Sequence, residues 1–136
     1  MRRIDQDMAC VAAQFLEEEA PSKELRTRFR QLPVQLHNSG LAATYAFLVA
    51  RSNTSGSDPL RKSYARVAQQ VRARLADIGL LPEKVKTASE PAVHGIVLQA
   101  LGEMDTTRYA RATAEVSLLF SWLRRLAEAV YVEEEQ

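Results

Sequence analysis

Cysteine is almost missing from this chain. Cys10 is the single one in 136 residues, so an internal disulfide and a multi-cysteine zinc site are both excluded. Histidine is nearly as scarce, with only His37 and His94. Glycine and proline number five each, too little punctuation for the many turns of an all-β fold. No run of about 18 apolar residues occurs, which argues against a transmembrane helix. The opening MRRIDQDM has two arginines but no apolar run behind them, so no secretory signal is expected. Neither GxGxxG nor GxxxxGK[ST] is present, which leaves no recognisable phosphate-cradling loop. What is present is ordinary globular material: 46% hydrophobic and 26% charged residues. That is enough for one hydrophobic core and argues against disorder. The expectation is a cytoplasmic, reduced, mostly helical protein, with residues 1–136 as one domain.

The formal net charge of +1 conceals a segregation. Residues 1–21 carry net −3, residues 22–86 carry net +8, and residues 87–136 carry net −4. A basic middle between acidic ends says more about partners than the total does, because local charge steers association.

Breaks and 3.6-residue periodicity predict six helical segments. One runs from about Asp5 to Glu19, with Met8, Val11, Ala12, Phe15 and Leu16 on one stripe, and ends at Ala20-Pro21. The next, capped by Ser22, runs from Lys23 to about Leu36, with Pro33 expected to kink or split it. Asn38-Ser39-Gly40 is a stop. Leu41 to about Arg51 is apolar almost all round and is expected at the centre of the core. Ser52 to Pro59 is the one loop flexible by composition, and Asp58-Pro59 starts a helix reaching about Ile78. Gly79 closes that helix. A connector containing Pro82 leads to a helix from about Glu90 to Leu101, capped by Ser89. Asp105 caps the last, from about Thr106 to Val130, and Glu133-Glu134-Glu135-Gln136 is a frayed acidic tail. No stretch alternates with period two for long enough to make a strand. The predicted fold class is therefore all-α: a single compact bundle of about six helices with irregular, orthogonal packing.

The sequence offers little for catalysis. Neither histidine has a cysteine or carboxylate at ligand spacing, so each is expected as a surface or packing residue. Cys10 reads as a small buried side chain rather than a nucleophile. Glu17-Glu18-Glu19 and Glu133-Glu134-Glu135 do not converge on one ion, since consecutive helical residues point in different directions. No catalytic residue, metal site or cofactor is predicted, and no small-molecule substrate. The protein reads as a non-enzyme.

The basic middle is better organised. Lys23, Arg26 and Arg30 share one stripe of their helix, opposite Leu25, Phe29, Leu32 and Leu36. Arg61, Lys62, Arg66, Gln69 and Arg72 lie together, away from the Leu60/Tyr64/Val67/Val71 stripe. Two amphipathic helices thus present arginines outward, almost without acidic partners. The planar donor fork of arginine suits phosphate, and unpaired cationic faces fit a nucleic-acid backbone read without base specificity. The same faces are also compatible with simple solvation, or with docking an acidic partner protein. In the last helix, Tyr109, Ala112, Thr113, Val116, Phe120, Leu123, Ala127 and Val130 form a long apolar face. Trp122 is expected in the core. Arg111/Glu115 and Arg124/Glu128 are four-residue pairs on the exposed remainder.

Two stretches carry a resemblance. LPVQLHNSGLAATYAFL (Leu32 to Leu48) and YARATAEVSLLFSWLRRLAEA (Tyr109 to Ala129), in this order and at this chain length, resemble the small helical subunit of the Cmr complex. That complex is the type III-B CRISPR effector, an RNA-guided ribonucleoprotein that cleaves invading RNA. The resemblance implies a single all-α domain and a non-catalytic subunit. It also implies several copies stacked along the minor filament, beside the subunits that hold the guide RNA. The implied partners are other Cmr subunits, further copies of this chain, and guide and target RNA, with no membrane. RNA contact by Lys23, Arg26, Arg30, Arg61, Lys62, Arg66 and Arg72 rests on the charge pattern, not on the resemblance. The alternative reading is a helical adaptor whose basic face docks an acidic protein.

Overall fold

The computed structural model describes residues 23–52, 61–89 and 91–130, together with Gln6, Ala9, Cys10 and Ala13. All described regular structure is helical, with no strand among the described residues, as the all-α prediction requires. Five α-helices are seen: α1 (Lys23–Ser39), α2 (Leu41–Ser52), α3 (Arg61–Asp77), α4 (Ala92–Glu103) and α5 (Thr106–Val130). Gln6, Ala9, Cys10 and Ala13 are also helical. The rest of the expected Asp5–Glu19 helix lies outside the described residues. So do the Ser22 and Asp58-Pro59 caps, the loop after Ser52, and the acidic tail. Cys10 is exposed, not buried as its place in the sequence predicts. Among the described residues no helix is long and apolar enough to cross a membrane.

The helix stops follow from backbone chemistry. Gly79, at φ +80°, ends α3. Leu80 N–H donates to Leu75 C=O at 2.8 Å and Gly79 N–H to Ala76 C=O at 3.0 Å. This is the Schellman pattern, which satisfies carbonyls that the helix end would orphan. The accompanying apolar partners, Leu75 and Leu80, are both buried. Gly40, at φ +89°, is the single residue between α1 and α2. Asp105 caps α5 as predicted, its Oδ1 accepting from Arg108 N–H at 2.7 Å. Asp105→Ala should therefore cost about 1 kcal/mol, read as a lower urea midpoint with unchanged slope.

Two local expectations are corrected and a third is refined. Pro33 does not split its helix: α1 runs unbroken through it to Ser39. Phe29, Leu32 and Leu36 are all buried on one stripe, and that burial outweighs the hydrogen bond that proline cannot donate. The connector around Pro82 contains a short 3-10 helix, Glu83–Lys86, anchored by buried Val85. Ser89 does not cap through its side chain. Instead its carbonyl accepts from Val93 N–H at 3.0 Å, and α4 begins at Ala92.

The chain divides into two compact units, residues 39–116 and residues 1–38 with 117–136. In the first, α2 packs chiefly on α3, and the 3-10 helix packs on α3 and α4. Its core holds Leu41, Tyr45, Leu48, Val67, Val71, Leu75, Val93, Val97, Leu101, Ala112 and Val116. Ala43, Ala46 and Ala50 are exposed, so α2 is buried on one face rather than all round. In the second unit the buried side chains are Phe29, Leu32, Leu36, Leu119, Phe120, Leu123 and Ala127. Trp122 is half-buried and Leu118 exposed, so the core role expected of Trp122 is met only in part.

Candidate nucleic-acid interface

The structure separates the predicted basic residues. On α3, Arg61 and Lys62 are exposed and Arg66 is half-buried. Arg61 and Lys62 have no ion-pair partner among the described residues. On α1, Arg30 is exposed, but its Nε lies 3.6 Å from Glu128 Oε1, an oxygen that Arg124 Nε also approaches at 3.6 Å. The expectation that Arg30 lacks an acidic partner is thus corrected. The side chains of Lys23 and Arg26 lie outside the described residues.

Arg72 departs most from expectation. It does not face outward with Arg61 and Lys62; it is buried. Its Nη1 donates to Tyr45 Oη at 3.1 Å, and Tyr45 Oη lies 2.9 Å from His94 Nδ1. Arginine can only donate. The hydroxyl therefore accepts from Arg72, while the direction of its bond with His94 Nδ1 follows the tautomer of the imidazole. A buried chain thus links α3, α2 and α4.

A second pair sits between α3 and α5. Arg74 Nε and Nη2 both reach Glu115 Oε1, at 2.8 and 2.7 Å. Glu115 is only 7% exposed, so the expected surface pair with Arg111 gives way to this buried one. The four-residue pair Arg124/Glu128 is present as predicted. Lys86 is held by Asp77 and, at 3.4 Å, by Glu83. The hydrogen bond that Lys86 donates to the Asp77 carboxylate raises the Lys86 pKa above the usual lysine value, against an opposing desolvation by burial. What this exposed pair contributes is complete at neutral pH and is lost only as pH rises through the folded-state Lys86 value. Arg51 lies over the Phe47 ring at 5.4 Å, and Phe47 meets Tyr64 edge-on.

Part of the basic excess of residues 22–86 is therefore neutralised within the fold. The acidic C-terminal third supplies Glu115 and Glu128 as counter-charges. Among the described residues of that basic middle, Arg61, Lys62 and Lys84 are exposed cations with no ion pair, and Arg61 and Lys62 stand side by side at the start of α3. No group of three or more His, Cys, Asp or Glu residues that could hold a metal occurs among the described residues.

The two stretches singled out in the sequence also meet in space. Ala42 N–H, in the first turn of α2, donates to Tyr109 Oη of α5 at 2.9 Å. Residues 2–130 match the family described as CRISPR-associated protein (Cas_Cmr5). This chain belongs to the Cmr5 family. It is thereby a subunit of the type III-B Cmr complex. No curated protein and no solved structure matches the chain significantly.

Within this Cmr5-family chain, the sequence pattern does not by itself reveal the polar interior: Tyr45, Arg74, His94 and Glu115 in their paired roles. A signal is nevertheless there. Glu115 falls three residues after Ala112 and four before Leu119, and Arg72 four after Ala68 and three before Leu75. His94 falls three before Val97. His94 thus stands on the apolar side of its helix, and Arg72 and Glu115 stand at the rim of the apolar stripes of theirs.

Proposed function

We propose that this chain is a non-catalytic structural subunit of the Cmr ribonucleoprotein, stacked in several copies along the minor filament and touching RNA backbone through the start of α3. Family membership supports the place in the complex. The observation that carries the RNA contact is the exposure of Arg61 and Lys62, with no ion pair to either among the described residues. Arg66, half-buried one turn on, extends the same face. A cationic helix face of this kind neutralises phosphates without reading bases. Guide and target RNA are the proposed neighbours, beside other Cmr subunits and further copies of the chain, in the cytoplasm. The reading also treats residues 1–136 as one cooperative domain.

The test is the assembled complex carrying Arg61→Glu/Lys62→Glu. Crosslinking of RNA to this subunit should fall by at least about tenfold. The salt slope of RNA binding should flatten by roughly one unit for each phosphate no longer neutralised. Unchanged crosslinking and slope would remove RNA contact from this face. Loss of assembly with RNA binding retained by the free chain would instead favour the adaptor reading, in which the face docks an acidic protein.

A further inference from the structure

Arg72 carries a charge that the described residues leave unbalanced. It is 9% exposed. Its partner Tyr45 is a neutral acceptor, and its Nε is buried with no hydrogen-bond partner among the described residues. No described carboxylate lies within ion-pair distance of it. Taking a cation out of water without a counter-charge is strongly unfavourable, and buried charges are ordinarily paired. Arg74, two residues on, shows the usual solution in its pairing with Glu115.

Arg72 is among the residues lining a cleft of about 480 Å³. The polar residues sharing that wall are Gln69, Lys86 and Ser89, and the rest of the described lining is apolar. The lining residues therefore carry a guanidinium, an ammonium, an amide and a hydroxyl, with no carboxylate among the described ones. Lys86 is already held by the exposed carboxylates of Asp77 and Glu83, so the cation left for a ligand is Arg72. Guanidinium retains N–H donors beyond the one given to Tyr45, in a planar fork that matches a tetrahedral oxyanion.

We propose that this cleft binds one phosphate-class oxyanion, with Arg72 as its counter-charge and the Ser89 hydroxyl and Gln69 amide as neutral donors. The site is distinct from the exposed pair Arg61 and Lys62 and does not depend on their contacting RNA. Free phosphate and a backbone phosphodiester share the required chemistry.

The test is thermal unfolding of the full chain while phosphate replaces chloride at constant ionic strength. A saturable rise of roughly 5 °C is expected at phosphate about tenfold above its Kd. Arg72→Met should abolish the rise. Ser89→Ala removes an exposed hydroxyl and should move half-saturation by about three- to tenfold; it carries the test if Arg72→Met does not fold. No rise, or a non-saturating rise equal in all variants, overturns the site, the latter being exclusion of phosphate from the surface. Replacing phosphate by a single-stranded RNA oligonucleotide assigns the source. A rise that Ser89→Ala weakens identifies a phosphodiester, and a response to phosphate alone identifies the free ion. Arg61→Glu/Lys62→Glu should keep the phosphate response whatever it does to RNA crosslinking, so the two readings fail separately.

Discussion

Glu115→Ala is expected to lower the unfolding free energy by about 3–5 kcal/mol, a drop of roughly 10–20 °C in Tm. The carboxylate holds two nitrogens of Arg74 on one oxygen at 2.7–2.8 Å, with the two side chains 14% and 9% exposed. Deleting the acid leaves the guanidinium in place, largely out of water, with its counter-charge gone. The size of the loss comes from that orphaned cation rather than from the intrinsic worth of the pair. Arg74→Met/Glu115→Leu, which removes both charges and keeps volume, should therefore lie near the wild type. Glu115→Gln should fall between the two, since it keeps an acceptor but loses the charge. A loss below about 1 kcal/mol for Glu115→Ala would mean that water reaches Arg74. Glu115 belongs to one of the two compact units. If the whole chain is one domain, the variant melts in a single transition shifted downward. A shifted transition beside an unshifted one would mean that the units unfold separately.

How far the sequence foretells this depends on what each residue needs from its surroundings. Asp105 caps α5 through a bond to a residue three positions on, and Gly79 stops α3 through bonds within its own turn. Both are local, so both are legible. The apolar stripes of α1, α3 and α5 are legible for the same reason, since burial follows a period that sequence spacing sets. Pro33 is not, because its effect is decided by the burial of Phe29, Leu32 and Leu36 and not by the ring alone.

The charged residues show where local reading stops. A helical wheel places Arg72 at the rim of its apolar stripe and cannot say whether the neighbouring element covers that rim. In the structure Tyr45, from another helix, covers it. Spacing likewise offers Glu115 the partner Arg111 four residues away, whereas the fold pairs it with Arg74, 41 residues away. Long-range pairing also changes what the charge segregation means. Part of the basic middle and acidic end is a set of internal ion pairs divided along the chain, and the remainder, which includes Arg61, Lys62 and Lys84, is what can face a partner.

Tyr45→Phe is the second large effect expected. The substitution keeps the ring in the core and deletes the single oxygen that Arg72 and His94 share. The cost should be about 2–3 kcal/mol, because a buried donor on a charged group and a buried ring nitrogen both lose an acceptor or donor at once. Tyr45→Phe/Arg72→Met should cost clearly less than the sum of the single changes, by about 1–2 kcal/mol, since the guanidinium is then no longer there to be stranded. Strict additivity in urea unfolding would show that the hydroxyl does nothing for Arg72. The same variant also bears on the oxyanion cleft. With a bound anion balancing the guanidinium, losing the tyrosine hydroxyl strands less charge, so Tyr45→Phe should cost less in phosphate than in chloride at equal ionic strength. Equal cost in the two salts would mean that the anion and the hydroxyl do not share Arg72.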